Sequence, residues 1–457
     1  MNIKKYIGNK KFYGMVLTIA IPIMIQNGIT NFVSLLDNIM VGQIGTEQMS
    51  GVAIVNQLIF VFNLCIFGAI SGIGIFGAQF FGKKDYEGVR QTFRFKLLLC
   101  SILGIIVIVC FNVFSEELIS LFLHDGSNTG DIEKTLIFGK KYLKIILFGL
   151  IPFAINQAYS STLRETGETV FQMKAGIIAV LVNLCINYVL IFGKFGAPAL
   201  GVNGAAIGTV ISRFIECGII IIRTHLNKEF IKGVYASIYI PKNLIKNIAI
   251  KGTPLMANEF LWASGMSMLT QCYSVRGLAV VAGINIASTI SNLFSIVYIS
   301  CGSAVAIIIG QLLGAGKMEE AKDNARKLIF FSVMSCVVIG IIMSIIAPAF
   351  PSIYNTSEEV KDLATNFIKV LALCMPFHAF TNASYFTLRS GGKTVITFLF
   401  DSMFVWLCSI PVAFVLSRHT NLDIVFVYLI CQSLEFIKCI IGGILVKSGI
   451  WVQNIVI

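Results

Sequence analysis

The chain has 457 residues, 56% of them hydrophobic and 13% charged, with a formal net charge of +12. A soluble protein carries about 25% charged residues, so this composition excludes a soluble enzyme or a soluble nucleic-acid-binding domain. The basic excess is spread over alternate loops, the distribution expected of cytoplasmic loops in a membrane protein.

An apolar run of about 20 residues crosses a bilayer as a helix. Twelve such runs follow one another, near 14–41, 51–81, 93–114, 135–159, 170–192, 201–223, 243–272, 278–312, 328–350, 362–387, 394–417 and 422–447. The stretch from Met1 to Lys11 is short and basic, and no small-residue cleavage site follows the first run, which is therefore read as a true span.

Lys4, Lys5, Lys10 and Lys11 precede the first span, and Lys83, Lys84, Arg90, Arg94 and Lys96 follow the second. Arg223, Lys228, Lys232, Lys242, Lys246 and Lys251 lie between the sixth and seventh; Lys317, Lys322, Arg326 and Lys327 follow the eighth. The intervening loops are poor in basic residues, and the one with Glu116, Glu117, Asp125 and Asp131 is acidic. A plasma (inner) membrane protein with both termini in the cytoplasm is expected. Lys140, Lys141 and Lys144 interrupt the fourth run and must snorkel or face water. The 12 Cys lie mostly within apolar runs and form no C-x-x-C. They read as small hydrophobes, with no disulfide framework and no metal cluster.

The chain also repeats itself. Pro22 and Pro254, Gln79 and Gln311, and Gly82 and Gly314 are each 232 residues apart. Pro152-Phe153 matches Pro376-Phe377, and Leu163-Arg164-Glu165-Thr166-Gly167-Glu168-Thr169 matches Leu388-Arg389-Ser390-Gly391-Gly392-Lys393-Thr394. Six spans per half, both halves starting on the same side, make parallel repeats of the kind found in transporters. The expected organisation is a lobe over 1–224, a cytoplasmic linker over 225–242 and a second lobe over 243–457.

At these residues the sequence resembles the multidrug and toxic compound extrusion (MATE) family. The likeness rests on the duplicated Leu-Arg-x-x-Gly-x-Thr, on Asp37-Asn38-Ile39-Met40-Val41-Gly42, on Gly77-Ala78-Gln79-Phe80-Phe81-Gly82, and on Gly201-Val202-Asn203-Gly204-Ala205-Ala206-Ile207-Gly208-Thr209. It implies an all-α polytopic membrane protein of 12 transmembrane helices, arranged as a V-shaped pair of six-helix lobes. It also implies antiport by alternating access, exporting small amphiphilic, often cationic compounds in exchange for Na+ or H+. No cofactor beyond the coupling ion is expected. The partners are the substrate and the lipid bilayer, with no nucleic acid, and the chain acts as a monomer.

An ionisable group inside a span costs roughly 2.5–3.5 kcal/mol on insertion scales, so each one asks for a role. The resemblance makes Asp37 the carboxylate that binds the coupling cation, with Asn183, Asn187 and Thr209 beside it. Asn183 and Asn187 are i, i+4 and share a helix face. The family often has an acid where Asn187 stands, and a carboxylate with two amides and a hydroxyl suits Na+ as well as H+. Glu259, early in the seventh span, is the second coupling candidate, although a tenth-span acid to accompany it is missing from His378-Ala379-Phe380-Thr381-Asn382.

Glu216 follows Arg213 by three residues and Glu435 precedes Lys438 by three, so both acids read as local structural ion pairs. Asp401, about two turns into the eleventh span, has no evident local partner. With Gln26, Asn31, Asn63, Asn156, Gln157, Asn292, His378 and Asn382 it forms the set from which a substrate cavity is drawn. Phe and Met would supply adaptable apolar walls.

Other functions fit less well. Gly314-Ala315-Gly316-Lys317 lacks the upstream glycine spacing of a phosphate loop and is followed by Met318. Neither H-E-x-x-H nor G-x-S-x-G occurs, so no enzyme is expected. A flippase for lipid-linked saccharides would need a basic cavity, against which the spans offer chiefly Arg213, Lys369 and the lysines at 140–144. A non-transporting membrane binding or sensor protein is the remaining alternative.

Overall fold

The computed structural model describes residues 5–122 and 132–456, without the side chains of Leu35, Asn38, Thr46 and Asn227. Lys4, Asp125 and Asp131 lie outside the described residues.

Twelve long helical segments follow in order: α1 (Lys10–Gly42), α2 (Thr46–Gly82), α3 (Tyr86–Val113), α4 (Ile132–Ile146 and Leu150–Glu165, joined by the 3-10 turn Leu147–Gly149), α5 (Thr169–Phe192), α6 (Val202–Asn227), α7 (Lys242–Ser274), α8 (Leu278–Gly314), α9 (Met318–Ile346), α10 (Glu358–Ser390), α11 (Thr394–His419) and α12 (Ile424–Ser448). Among the described residues there is no β-strand. This is the all-α, twelve-helix fold expected from the sequence. Ten of the twelve are long and apolar enough to cross a bilayer. The others are α4, with Lys134, Lys140, Lys141 and Lys144, and α7, with Lys242, Lys246, Lys251, Asn258 and Glu259.

Several helices outrun their apolar cores, because hydropathy marks the hydrocarbon layer while the backbone hydrogen-bond ladder continues into the interface. α1 begins at Lys10, four residues before the apolar run, with Pro22 inside it. α3 begins at Tyr86, seven residues before the apolar run near 93–114, and so takes in Arg90 as well as Arg94 and Lys96. The turn before it is tight: Lys84 has φ +63°, and Gly316, at the equivalent position of the repeat, has φ +74°. Within α11, Leu399–Met403 and Val405–Ser409 are π-helical turns.

The chain forms two compact units. One takes Ile25–Gly77 and Tyr86–Lys246; the other takes the residues up to Met24, Ala78–Asp85 and the chain from Asn247 onward. The first is centred on Val55, Phe62, Ile66, Leu143, Ile146 and Leu150. The second has two centres, around Cys336, Met343 and Phe367, and around Val16, Ile309, Leu313 and Trp451.

In lipid no hydrophobic force drives helix against helix, so close approach at small residues matters more. In the first unit a Cβ on Gly51 would fall 2.9 Å from the Thr135 carbonyl oxygen. In the second, the ends of α2 and α8 pack reciprocally. A Cβ on Gly82 would lie 2.0 Å from the Gln311 carbonyl oxygen, and one on Gly314 would lie 1.9 Å from that of Gln79. Gln79 donates from Nε2 to the Ser390 carbonyl (2.9 Å) and accepts at Oε1 from the Ile455 N–H (2.8 Å).

Candidate functional site

In the first unit α1, α5 and α6 bring Asp37, Asn183, Asn187 and Thr209 together. Asn187 Nδ2 donates to Asp37 Oδ1 at 2.9 Å. The Asn183 amide, turned with its NH2 towards the carboxylate, donates to both Asp37 oxygens (3.2 and 3.3 Å) while its carbonyl accepts from the Thr209 N–H (3.3 Å). A Cβ on Gly208 would fall 2.0 Å from Asn187 Oδ1, so only glycine lets that amide lie flush on α6. Asn187 Oδ1 is buried without a hydrogen-bond donor. No cation pairs with Asp37 among the described residues. The result is a half-buried carboxylate held by two amides, with one spare buried oxygen beside it.

A second polar cluster in this unit surrounds Gly176, where a Cβ would lie 3.4 Å from Gln26 Nε2 and 3.7 Å from Glu216 Oε1. Asn156 is a further polar neighbour of Glu216, its own Oδ1 buried without a hydrogen-bond donor. The expected Arg213–Glu216 ion pair is not made: the Arg213 guanidinium lies 5.0 Å from the Phe153 ring centre, its aliphatic stem near Gly149. Its preference for an aromatic face over the i+3 carboxylate turns Glu216 into a polar neighbour of Gln26 and Asn156.

In the second unit Lys438 Nζ lies 3.1 Å from Asp401 Oδ1 and 3.2 Å from Glu435 Oε1. Asp401 therefore has a charged partner, contrary to the sequence reading, because α12 carries Lys438 alongside the π turns of α11. Asn258 Nδ2 donates to Asp401 Oδ2 at 3.2 Å, and Ser402 Oγ donates to Asn258 Oδ1 at 2.7 Å. Glu435 Oε2 accepts from Thr381 Oγ1 at 3.1 Å and lies 3.9 Å from His378 Nδ1. The His378 ring stacks on Tyr298, so this histidine is both a packing residue and a member of the network. Glu259, half-buried, has Arg389 and Asp401 as charged neighbours but makes no ion pair among the described residues.

The remaining amides are dispersed. Asn31 and Asn292 are exposed and Gln157 is half-buried. Asn63 Oδ1 and Asn382 Oδ1 are buried without partners, the latter against Gly302, where a Cβ would lie 2.1 Å away. Lys140 pairs with Glu116, in the short helix after α3, at 2.7 Å. The sequence reading also missed a buried pair, Lys96 with Glu165. Its signal was a lysine only one turn inside an apolar run.

The MatE family profile matches residues 22–189 and again 254–415, the two stretches opening at Pro22 and Pro254. A probable multidrug resistance protein NorM of Thermotoga maritima is 26% identical over 409 residues, 89% of this chain and 86% of that protein. A probable multidrug resistance protein YoeA of Bacillus subtilis is 23% identical over 414 residues, 89% of this chain and 88% of its own. The solved structure of the Vibrio cholerae MATE transporter VcmN shares the fold with a TM-score of 0.87 at 14% identity, covering 97% of this chain and 98% of that one. With the duplicated match falling on the duplicated prolines, the chain belongs to the MATE family of membrane transporters, a family of carriers and not of enzymes.

Proposed function

We propose that the protein is a secondary antiporter of the plasma membrane that exports small amphiphilic, often cationic compounds in exchange for Na+ or H+. The observation that carries this reading is Asp37: an intramembrane carboxylate without a counter-ion among the described residues, held by Asn183 and Asn187. The multidrug resistance proteins it resembles support the substrate class.

A proton would neutralise the Asp37 carboxylate directly. Na+ would be held by the carboxylate, the Thr209 hydroxyl and the spare oxygen of Asn187, all hard donors. Either ion changes what Asn183 and Asn187 hydrogen-bond, and so can favour a different packing of α1 against α5 and α6. The repeat halves 1–224 and 243–457, joined by the linker 225–242, act as the lobes, and the termini face the cytoplasm. Cation and substrate favour different states of the first lobe, and exchange follows from that difference in affinity. Gln26, Asn156 and Glu216 offer a polar, anionic lining for a cationic substrate. Glu259, the unpaired acid of α7, is the second candidate for coupling.

The test is efflux of a fluorescent lipophilic cation from proteoliposomes under an imposed Na+ or H+ gradient. Gradient-driven efflux in the wild type and its loss in Asp37→Asn is the expected result. Retained efflux in Asp37→Asn would move coupling to Glu259, and no efflux by the wild type under either gradient would overturn the antiporter reading.

A further inference from the structure

A groove of about 430 Å³ runs between the start of α5 and the end of α6. Its polar end is formed by Lys174, Arg223, Lys228 and Glu168. Glu168 forms an ion pair with Lys228, which leaves the groove two positive charges in excess. The Arg223 guanidinium carbon lies 5.6 Å from the centre of the Phe171 ring, within cation–π range, and the exposed side chain keeps N–H groups open to an anion. Lys174 is exposed and makes no ion pair among the described residues. Further along, Ile178 and Ile219 continue the groove as an apolar wall. Ile178 is 45% exposed, so the wall opens onto the surface that faces acyl chains.

We propose that this groove binds an anionic phospholipid, its phosphodiester between Lys174 and Arg223 and its first acyl carbons along Ile178 and Ile219. Both ends of the groove argue for that occupant. A free phosphate would use the cations and leave the apolar wall uncovered, whereas a zwitterionic lipid brings an ammonium into a site already positive. Cationic pockets between transmembrane helices on the cytoplasmic side are suited to anionic headgroups, each basic residue near the surface adding about 1 kcal/mol. The volume lies within the roughly 300–1,000 Å³ of small-molecule sites, enough for a headgroup and the upper part of the chains. The inference rests on the orientation proposed above, in which these helix ends face the cytoplasm.

The experiment is native mass spectrometry of the full-length protein in detergent, with phosphatidylglycerol and phosphatidylcholine of identical acyl chains. Phosphatidylglycerol should be retained preferentially. Lys174→Gln/Arg223→Gln should lower its retention roughly 30-fold, and Lys174→Gln alone about fivefold, at about 1 kcal/mol per cation. Lys232→Gln/Lys242→Gln removes the same charge from exposed positions outside the groove and should leave retention unchanged. Equal retention of the two lipids, or equal loss in both double variants, would overturn the site. Complete displacement by inorganic phosphate would overturn the lipid as occupant and assign the cations to a soluble anion. A carboxy-terminal fluorescent-protein fusion, which fluoresces only in the cytoplasm, reports the orientation separately, and drug efflux reports the antiporter reading separately.

Discussion

Lys96 and Glu165 form an ion pair between α3 and α4, with the ammonium fully buried and 2.5 and 2.6 Å from the two carboxylate oxygens. Ser161 and Thr162 hydrogen-bond the same two groups. Removing one member of a buried pair strands the other charge and costs about 3–5 kcal/mol, whereas replacing both is often neutral. Lys96→Leu should therefore lower the melting temperature sharply. Lys96→Leu/Glu165→Ser should recover most of the loss, since Leu328 and Ser390 stand at the equivalent places of the second half and are themselves buried. Thermal unfolding in detergent decides, and a double variant no better than the single would show that the pair is needed for itself.

Gly77 tests the same joint from α2. A Cβ there would lie 2.1 Å from Glu165 Oε2. Gly77→Ala should destabilise by at least about 1–3 kcal/mol, the usual cost of overpacking, and Glu165→Ser in the same chain should relieve part of it. The readout is again the melting temperature.

Much of this was legible in the sequence. The repeat of Pro22 at Pro254 and of Gly82 at Gly314 marked the two stretches that the family profile matches, and the i, i+4 spacing of Asn183 and Asn187 put two amides on one face. The resemblance then nominated Asp37 and Thr209 as their neighbours. What was not legible depended on partners distant in the chain. Lys438 was visible three residues from Glu435, but nothing in the sequence placed it beside Asp401 on another helix. Arg213 and Glu216 had ideal spacing for a pair, yet the Phe153 ring took the guanidinium. Local spacing says who can meet; packing chooses among those who can.

In the second unit one ammonium serves two carboxylates, so Lys438→Met should leave Asp401 and Glu435 facing each other without compensation. A loss of about 3–5 kcal/mol is expected. Na+ can stand where the ammonium stood, so the variant's melting temperature should rise more steeply with NaCl than that of the wild type. Choline chloride, too large for the site, should not reproduce the rise. Equal salt responses of variant and wild type would count against it.

Asn187→Asp would set a second carboxylate beside Asp37, where the amide nitrogen is now 2.9 Å away. Two carboxylates that close favour a shared cation or a shared proton. Half-maximal Na+ for gradient-driven efflux should fall about tenfold, or the efflux should become more dependent on the proton gradient. Unchanged dependence on both ions would place coupling elsewhere.

The exposed pair of Lys140 and Glu116 should behave in the opposite manner to the buried ones. The hydrogen bond from Lys140 holds the Glu116 carboxyl below the usual glutamate range. A depressed carboxyl contributes stability at pH values above its unfolded pKa, about 4.3, and loses it as pH falls further through the folded value. At neutral pH the contribution is present but screened by salt. Lys140→Ala should leave the melting temperature at pH 7 and 0.15 M salt unchanged within error.

The hydrogen bond between Gln79 and Ile455 spans 376 residues of chain. At about 5–20 residues per second, synthesis needs roughly 20–75 s to travel from one to the other. Throughout that interval α2 waits in the nascent protein with a side-chain amide whose lasting partners, Ser390 and Ile455, have yet to be translated. The joint at the end of α2 thus closes only after the chain has been made as far as Ile455. Substitutions around Ile455 should therefore show themselves first as slow maturation and capture by quality-control proteases, before any change in the finished carrier.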